Sequence, residues 1–309
     1  MRAADIAAVV LTYGPEPHHE PIVHDLCHQG IRPDRISVVH NPVSASWQEE
    51  RCVDGIEIVR NARNLGYGSA INIGLRRSRV RTAPAVFIVA DDVSLKQDAV
   101  AQLLAGMEAH PQIGIFGTKL LLTTGETWSV GGLSEPGGWV SHLDAPRALL
   151  AHGVGACDWV DAAAWAFRAD VLRDVGLLEE RYFMYYEEPL ICLKARRAGW
   201  GIGTVLGAVA KHTPGSHKRP AAYEYLMTRN GLHYSVVAGG PVGGARAAWN
   251  SVMRAAHQHR LSRDVRTAPD ERTYHELRRI GIIRGMRAAA RSQWGPPPRL
   301  PGASDILVN

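Results

Sequence analysis

Short, largely apolar runs punctuate the first 120 residues. The runs at 6–11, 36–40, 56–60, 86–90 and 113–118 are too short for ordinary helices and lack the alternation of a strand with one wet face. Runs of this kind fit parallel strands buried on both faces. Between them, apolar residues recur at helical spacing. Ile22, Val23, Leu26 and Cys27 share one face; Ala70, Ile71, Ile73, Gly74 and Leu75 form a second; Val100, Leu103, Leu104 and Met107 form a third. Alternating strands and helices predict an α/β fold with an open, doubly wound, mostly parallel sheet. In such sheets, ligands bind beyond the carboxyl ends of the strands.

The stretch from 120 to 156 is rich in Gly and Trp and weakly periodic, so it reads as hairpins and loops over one end of the sheet. A helix is expected after Glu188, with Pro189 at its first position. A strand pattern resumes at 203–210. Residues 221–237, 244–260 and 269–292 then look helical, and 295–302 is Pro-rich, an extended tail expected to pack little. The organisation expected is a catalytic domain over 1–220, a helical C-terminal extension over 221–294 and a Pro-rich tail over 295–309. No internal repeat occurs at solenoid periods.

Composition narrows the classes. At 46% hydrophobic and 21% charged, the chain is neither disordered nor low in complexity. No apolar run reaches the roughly 18–20 residues of a membrane span. The first apolar run is too short for a secretion signal. Cys27, Cys52, Cys157 and Cys192 are scattered without a C-x-x-C pair, so neither a disulfide framework nor a structural zinc is expected, and a reducing cytoplasm fits. The net charge of +5 is unevenly placed: residues 221–309 carry 13 Arg against 6 acids, whereas the first 220 residues carry 22 basic and 24 acidic groups. A basic end on a near-neutral body suits anionic lipid headgroups, nucleic acid or a phosphorylated acceptor, or is simply a solvated arginine-rich surface.

Four patterns follow in order: Val9-Val10-Leu11-Thr12-Tyr13; Arg60-Asn61-Ala62-Arg63-Asn64-Leu65-Gly66-Tyr67-Gly68, continuing to Asn72 and Gly74; Val86-Phe87-Ile88-Val89-Ala90-Asp91-Asp92-Val93; and Trp159-Val160-Asp161, followed by Tyr185-Tyr186-Glu187-Glu188, Arg196-Arg197-Ala198-Gly199-Trp200 and His212. Each is weak alone. The ordered set resembles the family 2 glycosyltransferases, in particular their bacterial rhamnosyltransferase-like branch, from about Ile6 to Ser216 and on to Arg229-Asn230. The resemblance implies a GT-A fold and an inverting transfer of sugar from a nucleotide-diphosphate donor to an acceptor hydroxyl or amine, assisted by Mg²⁺ or Mn²⁺.

The residues suit those roles. Asp91-Asp92 ends an apolar strand, and a carboxylate there can hold a divalent cation against a departing diphosphate. The resemblance places the metal on Asp92 and His212. Inversion needs one base for the acceptor's proton, which the resemblance assigns to Glu188 beside Glu187. Thr12, Tyr13, His40, Asn41, Arg60, Asn61, Asn64, Gly66 and Asp91 are expected on the nucleotide and donor side, with Trp159 and Asp161 beside sugar and acceptor. Three residues depart from the family pattern. Ala90 cannot ligate where a second acid would stand, so Asp91 is expected to compensate. His40 replaces an acid that reads the base edge. Leu190 stands where a later acid is usual.

The expected partners are a nucleotide-diphosphate sugar and a glycan, lipid-linked or small-molecule acceptor. No nucleic acid and no membrane span are expected; peripheral membrane contact and a homodimer are left open. Two other readings remain. A nucleotidyltransferase would favour a basic Gly-rich loop near the N-terminus, yet Leu11-Thr12-Tyr13-Gly14-Pro15 has no Lys or Arg. The three departures would also suit a non-catalytic sugar-nucleotide-binding protein. A Rossmann dehydrogenase is disfavoured, because no G-x-G-x-x-G follows the first strand.

Overall fold

The computed structural model describes residues 1–44, 49–135, 139–213, 220–264 and 266–301. Among them the strands are β1 (Ala7–Gly14), β2 (Ile36–Pro42), β3 (Glu49–Val53), β4 (Ile56–Arg60), β5 (Ala85–Ala90), β6 (Val93–Leu95), β7 (Ile113–Leu121), β8 (Thr127–Ser129), β9 (Gly132–Ser134), β10 (Val140–His142), β11 (Leu149–Leu150), β12 (Val154–Ala156), β13 (Ala164–Arg168) and β14 (Gly201–His212). The helices are α1 (Glu20–His28), α2 (Tyr67–Leu75), α3 (Ser78–Arg81), α4 (Ala99–Ala109), α5 (Ala169–Val175), α6 (Glu187–Arg197), α7 (Pro220–Arg263) and α8 (Pro269–Ala290).

The main sheet runs β11-β12-β14-β7-β13-β5-β1-β2-β4-β3, with β6 added to β14 and β8 to β7. β9 and β10 form a separate hairpin. Strands β5, β1, β2 and β4 are mutually parallel, and so are β7 and β14. Register aligns the carboxyl ends: Thr12 lies opposite His40, His40 opposite Arg60, and Leu11 opposite Ala90. One sheet edge therefore gathers Thr12, His40, Arg60 and the Asp91-Asp92 turn.

The apolar runs explain the layering. Val9 and Val10, adjacent in β1, belong to opposite faces. Val10, Val38 and Phe87 pack with Ile22, Leu26, Leu103 and Met107 of α1 and α4. Val9, Val39 and Ile88 pack with Ile71, Val171 and Ile191 of α2, α5 and α6. Each such buried side chain contributes about 1.5–3 kcal/mol. Helix α2 sits so close to β1 that a Cβ at Gly74 would lie 2.4 Å from Val9.

The structure differs from the sequence reading in three places. β13 inserts antiparallel between β5 and β7, where the sequence pattern predicts no strand. Helix α6 begins at Glu187 rather than Pro189. Pro189 is tolerated there because a first-turn N–H has no partner within the helix, and both glutamates thus sit in the first turn. Among 295–301, the tail packs. The Gly295 N–H donates to Arg181 O at 3.0 Å, Arg229 donates to Gly295 O at 2.7 Å, and Pro297 and Leu300 are buried. The expectation of a loose tail is corrected for these residues; 302–309 lie outside the described ones.

The chain divides into two compact units: Met1–Ser134 with Val140–Glu179 and Glu187–Pro214, and Glu135–Trp139 with Glu180–Tyr186 and Gly215–Asn309. The first contains the sheet. The second is built on α7 and α8. Helix α7 breaks helical geometry at Gly240 (φ 63°), just before Pro241, which separates the two helical stretches read from sequence. Within this unit, Phe183, Tyr185 and Tyr186 hold positive φ. The Asn230 amide donates to Met184 O and Tyr185 O at 2.8 and 2.9 Å, and pins that turn.

Candidate active site

All of the sequence-selected site residues belong to the first unit. The Asp91 N–H donates to Leu11 O at 3.0 Å, which fixes the turn after β5 against β1. The Asp91 carboxylate accepts from the Tyr13 N–H at 3.4 Å and from the Thr12 hydroxyl. Burial raises its pKa, and the adjacent Asp92 charge adds to the rise; those two donors oppose it. Asp91 thus braces the end of β1.

Asp92 points outward and is 42% exposed. Its Oδ2 lies 3.4 Å from Nε2 of His212, at the end of β14. Thr213 N–H donates to Asp92 O at 3.1 Å and joins the two segments. Burial lowers the His212 pKa, but the Asp92 hydrogen bond and the charges of Asp92 and Asp161 outweigh it and raise the pKa overall. Ser216, where the main stretch of the resemblance read from sequence ends, lies outside the described residues. Among the described residues no group of three His, Cys, Asp or Glu side chains could hold a metal. Two facing donors do fit a divalent cation that keeps waters and takes further ligands from substrate phosphates.

Glu187 and Glu188 approach the same edge. Gly68 explains how: a Cβ there would lie 2.9 Å from Glu179 O and 3.3 Å from Glu187 Cγ. The expected outcome for Gly68→Ala is a loss of about 1–3 kcal/mol together with lower turnover as Glu187 shifts. Melting curves and a transfer assay on the same sample check this. The Tyr67 hydroxyl donates to Ala162 O at 2.9 Å and accepts from the Trp165 indole N–H at 3.2 Å. Ala90 N–H donates to Ala163 O at 3.0 Å. These bonds tie the segments around 67–68, 90–92, 161–163 and 187–188 into one rim. Dense surroundings push Glu188 up to about 8, with the Asp161 charge adding to the shift. Leu190, two residues on, is buried in the core.

Asp161 is held by His142, whose Nδ1 lies 3.3 Å from Oδ2. His142 stands edge-on to Trp159, with ring centres 5.0 Å apart. Trp159 itself is 5% exposed and donates its indole N–H to Leu133 O at 3.1 Å. It leaves little ring face for a sugar and acts as a wall behind His142. Sequence reasoning missed both His142 and Tyr67. The first lies in an aperiodic region; the second was read only as part of the glycine motif.

On the nucleotide side, Asn61 donates to Asn41 Oδ1 at 2.9 Å, and Asn41 donates to Gly66 O at 3.0 Å. Asn64 accepts from the Gly66 N–H at 2.9 Å. Gly66 has φ 83°, which favours glycine. These amides build the loop that starts α2. Next to them is a cavity of about 220 Å³ lined by Glu16, Pro17, His40, Glu49, Arg51, Ile58 and Arg60. His40 is fully buried. Its Nε2 lies 2.9 Å from Gly14 O, a group that can only accept, so the proton sits on Nε2. Its Nδ1 has no hydrogen-bond partner. Burial lowers its pKa.

The architecture is that of a known class. The structure of a mannosyltransferase from Pyrobaculum calidifontis in complex with GDP-Man and Mn²⁺ superposes with a TM-score of 0.53 at 14% identity, covering 94% of this chain and 89% of that one. The fold is GT-A, the fold of glycosyltransferases.

A family model described as Glycosyltransferase like family 2 matches residues 3–232. The chain belongs to that family. The low-salt glycan biosynthesis hexosyltransferase of Haloferax volcanii is 24% identical over 202 residues, 62% of this chain and 64% of the relative. The match thus spans just under two thirds of that relative. The N-acetylglucosaminyl-diphospho-decaprenol L-rhamnosyltransferase of Mycobacterium tuberculosis is 22% identical over 222 residues, 63% of this chain and 71% of the relative.

Proposed function

We propose that the protein transfers a sugar from a nucleoside-diphosphate donor to an acceptor hydroxyl or amine with inversion, using Glu188 as the base. The observation that supports this is the shared rim. The Asp92–His212 pair and the Glu188 carboxyl both lie within reach of the Asp161 charge, on segments joined by the Ala90–Ala163 and Tyr67–Ala162 hydrogen bonds.

The roles then follow from chemistry. The cavity beside His40 takes the base of the donor, and Arg60, which reaches Pro15 O at 3.4 Å and Glu16 at 3.5 Å, lines it. His40 Nδ1 presents a lone pair, so it suits a base that offers an N–H. It thereby restores the acceptor that an acid would supply at this position. Asp92 and His212 would hold a divalent cation. Bound there, it would neutralise negative charge on the diphosphate. Asp161, fixed by His142, faces the sugar and acceptor. Glu188 accepts the acceptor's proton at a carboxylate oxygen as the new bond to the anomeric carbon forms and the bond to the diphosphate breaks. The relatives' names point to a hexose or deoxyhexose donor and to a lipid-linked acceptor among the candidates.

The test is product analysis. Incubation with a panel of nucleotide sugars, Mn²⁺ and candidate acceptors is expected to release nucleoside diphosphate, and Asp92→Ala is expected to stop that release without altering the melting curve. Release of pyrophosphate, or an Asp92→Ala variant as active as the parent, overturns the reading.

A further inference from the structure

Helix α7 beyond Gly240 carries an unusual surface. Val242 is 63% exposed, Trp249 65%, Val252 45% and Met253 44%. A soluble surface rarely leaves a tryptophan that open without a use. The positions are periodic. Val242, Arg246, Trp249, Met253, Ala256 and Arg260 recur at spacings of three, four and seven and share one helix face. All six are exposed. The opposite face is the buried one, where Ala247, Ser251 and Gln258 pack inward. The apolar stripe therefore lies on the side of α7 away from the packed interior of its own unit.

Charge points to the occupant. From Tyr225 to Arg263 there is no Asp or Glu, while Arg229, Arg246, Arg254, Arg260 and Arg263 lie in that span. Arg229 is buried and Arg254 pairs with Glu224, so neither belongs to the surface. Arg246 and Arg260 lie on the striped face itself, toward its two ends. Arg246 and Trp249 together line an open groove with Ala245 and Asn250. A tryptophan and a methionine between arginines, on a stretch of helix that carries no acid after Glu224, suit the boundary between lipid headgroups and acyl chains. There the indole sits at the interface and the guanidinium groups meet anionic headgroups. A second copy of the chain fits less well, because facing copies would set arginines against arginines with no acid on the stripe to answer them.

We propose that the face of α7 carrying Val242, Arg246, Trp249, Met253 and Arg260 is a docking surface for an anionic lipid bilayer. It is an interfacial contact, not a span: among the described residues no helix is long and apolar enough to cross a membrane. The proposal does not depend on the transfer chemistry, because none of these residues belongs to the rim or to the cavity beside His40.

The test uses the full-length protein and sedimentation with lipid vesicles. Binding to phosphatidylcholine vesicles that contain phosphatidylglycerol is expected to exceed binding to phosphatidylcholine alone by about tenfold or more, and to weaken as salt is raised. Trp249→Ser and Arg246→Ser should each lower binding about fivefold or more, the second only on the anionic vesicles. Both variants should keep the parent's melting temperature, since both side chains are open to solvent. Three results overturn the proposal: no vesicle binding by the parent; equal binding by Trp249→Ser; or concentration-dependent self-association that Trp249→Ser abolishes, which would make the stripe an interface between copies.

Discussion

Glu188→Gln is expected to lower turnover by about 10³-fold, within the range for removing a general base, while leaving donor binding nearly unchanged. Glutamine keeps the shape and the first-turn position but has no lone pair basic enough to take an alcohol proton. The pH profile should carry the same signature. Crowding and the nearby Asp161 charge hold the Glu188 pKa up at about 8 in the folded protein. The active form is the carboxylate, so turnover should rise with pH and level off above about 8, falling about tenfold per unit below it. Stability should move the other way. A carboxyl whose folded pKa is raised binds more protons folded than unfolded between its ordinary value of 4.5 and about 8. Its contribution to stability is therefore present below 4.5 and lost as pH rises through that window. Glu188→Gln removes the ionisation and is expected to melt higher than the parent at pH 8. A variant that is inactive, melts higher at alkaline pH and still binds the donor nucleotide identifies a base held at an energetic cost. A variant that retains activity removes Glu188 from that role.

The parallel strands were legible because double-sided burial favours short, largely apolar runs, and five such runs stand in the first 120 residues. The Asp91-Asp92 turn stood out in the sequence because a carboxylate pair follows an unbroken apolar strand there. What escaped depends on contacts distant in sequence. β13 is short and all apolar, and nothing in Ala164–Arg168 says that it runs antiparallel between β5 and β7; only the pairing partners do. His142 lies on a three-residue strand in an aperiodic region, yet it meets Asp161, 19 positions on. The Asn41–Asn61–Gly66 bonds likewise join three segments, and so residues read as ligand contacts serve in the loop itself. Asp91 illustrates the limit well. Its residue type suggested a ligand, but its sequence position gave no sign of the bonds it accepts from the hydroxyl and N–H of β1.

The second large effect is on stability. Glu224→Ala is expected to destabilise the helical unit by about 3 kcal/mol. Glu224 is fully buried on α7. Its Oε1 accepts from Arg278 Nε of α8 at 2.7 Å, and its Oε2 pairs with Arg254, further along α7. Arg254 stacks over Trp139 at 4.8 Å, and Arg278 over Tyr274 at 5.7 Å, so each cation has an aromatic neighbour but only this one buried carboxylate between them. Gly281 of α8 approaches closely here: a Cβ there would lie 2.3 Å from Ala221 O and 2.9 Å from Glu224 Cβ. The ion triad thus sits where the two helices pack most tightly. Breaking a buried ion pair from one side costs about 3–5 kcal/mol, because the partner is left charged and unanswered. Both guanidinium groups retain about 30% of their exposure, so water can reach them, which sets the expectation at the lower end. Replacing all three residues together, with Glu224→Leu, Arg254→Met and Arg278→Met, should cost far less than the single change, since it leaves no orphaned charge. Urea unfolding followed by far-UV circular dichroism measures both. A single variant that loses under 1 kcal/mol, or a triple variant less stable than the single, would show that packing at Gly281 rather than charge pairing holds α7 to α8.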